Sequence, residues 1–239
     1  MAKCVGLSKP VVALVFLSAM LTGCQSMNTG EEGRGGLFGT GFAAGLDDFL
    51  SERPFFDGAT LDGWSQSVDG SWRVEEGDEG GMIVSDSDAD TLLISQGRYG
   101  DFRLSLEFHV GSFVNSGVLI RCTSPEKISP IECYELNIWD DHDNQDFRTG
   151  AIVTHKSPSV RVNTAGRWSR MDIHAEGDLI RVSINGVETA SLIDDTHREG
   201  HIALQRFKDG KAQFRKIKLE PIGMSWWDSF RTTLFPGSS

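Results

Sequence analysis

Alternation of apolar and polar residues at a period of two constrains this chain more than any other feature. Phe102, Leu104, Leu106 and Phe108 alternate with polar neighbours, as do Tyr134, Leu136 and Ile138, and Met171, Ile173 and Ala175. Successive side chains of a strand point to opposite faces, so each run predicts a half-buried β-strand. Asn185-Gly186 sits between the runs 179–184 and 187–192, and both residue types tolerate the positive φ that a two-residue type I′ hairpin turn requires. No apolar stripe at helical spacing persists over three turns between Arg53 and Ile222. Many short strands with regularly spaced turns predict an all-β sandwich or barrel of about 170 residues, a size that suits one domain.

The same parity predicts a polar face. Given the apolar partners, Arg103, Ser105 and Glu107 share one side of their strand, as do Glu135, Asn137 and Trp139, and as do Asn115, Gly117, Leu119 and Arg121. If these strands share a sheet, Glu107, Arg121, Glu135, Asn137 and Gln205 line one surface with Trp139 beside them. Carboxylate, guanidinium and amide groups near an indole suit sugar recognition, since they bond hydroxyls bidentately while an aromatic face covers the apolar side of the ring. Antiparallel sheets also show solvated polar faces with cross-strand charge pairs and no ligand. Parity alone leaves both readings open.

After Trp139 the chain runs Asp140-Asp141-His142-Asp143-Asn144-Gln145-Asp146. So many oxygen donors make this loop a candidate holder of a divalent cation, although it lacks the glycine and distal glutamate of the EF-hand pattern. His155, beyond the loop, is a candidate general base.

The N-terminal region reads as an export signal. Lys3 and Lys9 precede an apolar run from Val11 to Leu21, followed by Leu21-Thr22-Gly23-Cys24. The run is shorter than the ~20 apolar residues of a spanning helix. Leu-Thr-Gly-Cys resembles the bacterial lipobox, which implies a signal peptide over 1–23 and a lipid-modified Cys24 that anchors the chain to a membrane. Gln25 and Ser26 follow, and the absence of Asp there resembles outer-membrane sorting within the cell envelope. Residues 24–51, rich in glycine, read as a tether. The domain is expected over 52–222, followed by an aromatic tail over 223–239 with Trp226, Trp227, Phe230 and Phe235. Loss of Lys3 and Lys9 takes the 23 basic residues to 21 against 34 acidic ones, a net charge of −13, which argues against nucleic acid as a partner. With Cys4 removed and Cys24 acylated, Cys122 and Cys133 remain at the ends of two strand-like runs. Outside the cytoplasm they are expected to form a disulfide.

The order of motifs resembles the 3-keto-disaccharide hydrolase domain family: Phe55-Phe56-Asp57-Gly58, Leu61-Asp62-Gly63-Trp64, Trp72-Arg73-Val74-Glu75, Tyr99-Gly100-Asp101-Phe102, Asn115-Ser116-Gly117 with Arg121, Tyr134-Glu135-Leu136, Gly150-Ala151, Asn185-Gly186-Val187 and Leu204-Gln205. The resemblance implies a concanavalin-like jelly-roll sandwich of two antiparallel sheets, with carbohydrate bound on the concave face and glycosides oxidised at C3 as substrates. It carries site roles onto Asn115, Ser116, Gly117, Arg121, Glu135 and Gln205. The chain departs from the family pattern where Glu-x-Gln becomes Glu135-Leu136-Asn137, where a histidine after Gln205 is replaced within Arg206-Phe207-Lys208, and where Ile152-Val153 follows Gly-Ala in place of a tyrosine.

Three readings follow. In the first, an enzyme uses Glu135, or else His155 or Asp140, as the base that removes the C2 proton of a 3-keto-glycoside, with Arg121 and Asn115 on the ketone and hydroxyls and Glu107, Ser116, Asn137, Trp139 and Gln205 completing the sugar site. In the second, the same face binds carbohydrate without catalysis. In the third, the sandwich is a scaffold and the aromatic tail makes an envelope contact.

Overall fold

A computed structural model describes residues 55–208 and 210–223. The signal region, Cys24, the tether, and the tail from residue 224 onward lie outside the described residues. Twelve strands are described: β1 Trp64–Gln66, β2 Arg73–Gly77, β3 Gly80–Ser85, β4 Thr91–Ser95, β5 Phe102–Val110, β6 Asn115–Cys122, β7 Tyr134–Ile138, β8 Ser169–Glu176, β9 Leu179–Ile184, β10 Val187–Ile193, β11 His201–Phe207 and β12 Ala212–Pro221. The described residues include one short 3₁₀ turn, Gln145–Phe147. The strands form two antiparallel sheets, a smaller one in the order β1-β4-β11-β6-β7 and a larger one in the order β10-β9-β8-β5-β12-β3-β2.

The alternating runs supply the layer between the sheets. Phe102, Leu104, Leu106 and Phe108 of β5 and Met171, Ile173 and Ala175 of β8 meet Val118 and Ile120 of β6, Tyr134, Leu136 and Ile138 of β7, and Leu204 of β11 in one core. Each fully buried large apolar side chain contributes about 1.5–3 kcal/mol, and this burial sets which face of every strand points outward. Asn185 (φ 51°) and Gly186 (φ 79°) join β9 to β10 in the left-handed conformation that their hairpin needs.

A second, smaller apolar cluster lies on the outer side of the smaller sheet. It comprises Ile94, Leu119, Cys122, Cys133 and Ala203, with Leu92 and Ile128 packed against it. Cys122 and Cys133 are joined by a disulfide, which closes the loop between β6 and β7. The segment after the 3₁₀ turn then pairs with β7: the Asn137 amide donates to Ala151 O at 3.0 Å and the Val153 amide to Glu135 O at 2.9 Å. Glu135 and Asn137 therefore lie inside a continuous sheet surface.

Candidate functional site

Across the outer face of the smaller sheet, Gln205 of β11 stands opposite Gly117 of β6, and Gly117 opposite Asn137 of β7. One row along, Ala203, Leu119 and Glu135 are aligned. Glu135 and Gln205 meet diagonally over β6, where Gln205 Nε2 donates to Glu135 Oε1 at 3.1 Å. Gly117 lies beneath this pair: a Cβ there would rest in van der Waals contact, 3.5 Å, with both Glu135 Oε1 and Gln205 Oε1.

Both partners are almost wholly buried, Glu135 at 5% and Gln205 at 4% exposure. Burial pushes the Glu135 carboxyl above the usual carboxylate range, and the Gln205 hydrogen bond only partly opposes that shift. Gln205 Oε1 is buried and has no hydrogen-bond partner. An unsatisfied buried acceptor costs about 1–3 kcal/mol, so this oxygen favours an arriving O–H donor. A carboxyl raised by burial, held by an amide and beside an open acceptor, can remove a proton and accept a hydroxyl at the same place.

Trp139, just beyond β7, extends the face. Lys208 Nζ sits 4.0 Å from the centroid of its ring, and the His142 ring packs edge-on with centroids 4.3 Å apart. One indole face is thus covered by a cation, so a sugar ring has less of it to stack on than the sequence suggests. Lys208 was not apparent as a site residue from strand parity, because it adopts φ 62° after the end of β11, which breaks the alternation. Its place in the stretch where the related histidine is missing was the available signal. Asn115 is half-buried at the start of β6, opposite Phe207, on the same side as Gly117.

The other expected site residues go elsewhere. Glu107 points outward as parity requires, but β5 belongs to the larger sheet, and its carboxylate pairs with Arg215 at 2.7 Å and Lys216 at 3.1 Å. Arg121 lies past a register irregularity between β6 and β11 and has φ 53°. Fully buried, it donates to the carbonyls of Gly100, Gly177 and His197 and to Asp101, so its guanidinium ties loops together instead of meeting the polar face. Ser116 faces opposite to Gly117, and its hydroxyl donates to Gln205 O at 2.6 Å, locking β6 to β11. Asn137 faces outward, but its amide nitrogen donates to Phe147 O and its oxygen accepts from the Ile138 amide, so it holds the following loop.

Asp140 is likewise committed. It accepts from the Thr164 amide at 2.5 Å, the Thr164 hydroxyl at 3.1 Å and the Ala165 amide at 2.9 Å. Burial alone would raise its pKa, but the Thr149 hydroxyl beside it and these hydrogen bonds hold it below the ordinary carboxylate value. Among the described residues, no three His, Cys, Asp or Glu side chains converge as metal ligands, so the geometry adds no support to the acidic loop as a candidate cation holder. His155 is exposed and packs against Tyr134, with ring centroids 5.4 Å apart. Tyr134 belongs to the inner side of β7, which puts this imidazole away from Glu135.

A family model described as the 3-keto-alpha-glucoside-1,2-lyase-like domain matches residues 51–220. The chain belongs to that family. This 3-keto-alpha-glucoside-1,2-lyase-like domain is thereby a carbohydrate-active one. Two solved structures of candidate glycosyl hydrolases from Parabacteroides distasonis are similar to it. The first is 25% identical, with a TM-score of 0.55, and the alignment covers 62% of this chain and 90% of that one. The second is 19% identical, with a TM-score of 0.60 and coverage of 70% and 92%. A carbohydrate-binding module from Bacillus subtilis shares the fold at 18% identity and a TM-score of 0.50, over 66% of this chain and 95% of that one. Among curated proteins, none matches the chain.

Proposed function

We propose that this domain cleaves 3-keto-glycosides by elimination, with Glu135 as the base. The single observation behind this reading is the buried Glu135 carboxyl, raised by burial and held by Gln205 across Gly117. A ketone at C3 acidifies the C2 proton. Glu135 takes that proton, the electron pair forms the C1–C2 double bond, and the glycosidic oxygen leaves C1 and is protonated. Water then adds across the double bond, with hydroxyl at C1 and hydrogen at C2. This scheme needs one positioned base and groups that stabilise the developing enolate oxygen, unlike the paired carboxylates of ordinary glycosidases. The family's description as lyase-like across positions 1 and 2 agrees with it. Gln205 and Asn115 serve as hydroxyl and ketone ligands, and Lys208 over Trp139 brings a positive charge to the rim of the face.

We further propose that the domain is anchored at the cell envelope through lipid on Cys24, since Leu21-Thr22-Gly23-Cys24 ends a short apolar run, and is sorted to the outer membrane, since Gln25-Ser26 follow without an Asp. Metabolic labelling of the expressed chain with a radiolabelled fatty acid tests the anchor: label is expected on the parent protein and absent from Cys24→Ala. For the catalytic proposal, Glu135→Gln should lose turnover while the protein remains folded. A folded variant with undiminished turnover would reject Glu135 as the base.

A further inference from the structure

The outer face of the larger sheet, remote from Glu135, carries a cleft of about 360 Å³ that the proposed reaction does not use. Its shape follows from strand register. The middle row across the sheet is Ser105 of β5, Asp172 of β8 and Ser183 of β9, all short side chains that form a floor. The adjoining row is Arg103, His174 and Arg181 on the same three strands, and these long side chains form a wall. Arg170 and Lys218 flank the floor on other sides.

The wall sets Arg103 and Arg181 on either side of His174. These two guanidiniums, with Lys218 beside the same cleft, present positive charge that an anionic ligand would meet. Carboxylates nearby neutralise the wall only in part. Arg170 is paired with Asp172 at 2.6 Å, and Arg181 reaches Glu188 only at 4.0 Å. Arg103 and Lys218 stand outside these pairs, with Glu220 opposite Arg103 in register. The basic wall is notable on a chain whose net charge is −11.

We infer that this cleft is a second, non-catalytic binding site, and that its ligand is an acidic oligosaccharide of the uronate class. Planar guanidinium groups match carboxylates bidentately, the serine hydroxyls and Asp172 on the floor suit sugar hydroxyls, and the volume lies within the range of small-ligand sites. The carbohydrate family of the domain favours a sugar acid over other anions. The site would hold the domain on an acidic polysaccharide while the opposite face acts.

Isothermal titration of the full chain in detergent, with tetragalacturonate and with the neutral cellotetraose, tests this. Saturable binding of tetragalacturonate is expected. It should weaken with added salt and fall at least tenfold in the Arg103→Gln/Arg181→Gln variant, whose exposed positions leave the melting temperature unchanged. Glu135→Gln should bind tetragalacturonate as the parent does, so this result is independent of the reaction proposed above. No saturable binding, equal binding of cellotetraose, unchanged affinity in the arginine variant, or equal weakening by Glu135→Gln would each overturn the inference.

Discussion

Glu135 of β7 and Gln205 of β11 meet across the intervening strand, 3.1 Å apart at Oε1 and Nε2, above Gly117 of β6. Gly117→Ala is therefore expected to fold, since its Cβ would come within 3.2 Å of Leu136 O and ask for a shift of only a few tenths of an ångström. The methyl would rest against both functional groups at 3.5 Å and fill space open to substrate between them, and kcat/KM should fall about tenfold. Steady-state kinetics beside a thermal melt separates the two effects. A drop in stability with unchanged kcat/KM in the folded protein would contradict the assignment.

The raised Glu135 pKa carries two pH signatures. As a base it works ionised, so kcat/KM should rise with pH through an inflection above the ordinary 4.5. Its folded pKa also exceeds its unfolded one, so the folded state binds the proton more tightly, and this group's contribution to stability declines as pH rises from about 4.5 through the folded value. Glu135→Gln removes that decline. Melts across pH 4–8 should show the variant as stable as the parent, or more so, at the upper end.

Asp140 has the opposite sign. Its depressed pKa gives a contribution that is present above the ordinary 3.8 and is lost as pH falls through the lower folded value. Asp140→Asn should lower stability at neutral pH and flatten the acid limb of a stability profile. Loss of activity without loss of stability would point instead to a part in the chemistry.

Arg121 and Glu135 lie on one outward face by sequence parity, and only Glu135 stays there. Alternation made the strands and their inward residues legible, and Asn185-Gly186 located the β9–β10 hairpin. Alternation does not say which strands are neighbours, which is why Glu107 points outward from the other sheet. Nor does it survive a left-handed residue inside a strand: Arg121, at φ 53°, has left the face to which counting by twos assigned it. Asp140 and Asn137 were legible as polar groups but not as partners of Thr164, Ala165 and Phe147, since those contacts depend on loops that carry no period.

A structural Arg121 predicts a large stability effect. Removing a fully buried guanidinium leaves the carbonyls of Gly100, Gly177 and His197 without their donor and should cost at least about 1–3 kcal/mol, and Arg121→Lys, lacking the planar fork, should not restore it. Chemical denaturation measures this loss. A stable Arg121→Ala protein that has lost only substrate affinity would return Arg121 to the site.

In the proposed reaction Glu135 acts on a proton made acidic by a neighbouring ketone. The most direct test follows aglycone release by the purified full chain from 3-keto-glucosides and from the matching unoxidised glucosides. Release is expected from the keto substrates alone, reduced at least about a hundredfold by Glu135→Gln. Equal release from unoxidised glucosides, or no release from either, would contradict it.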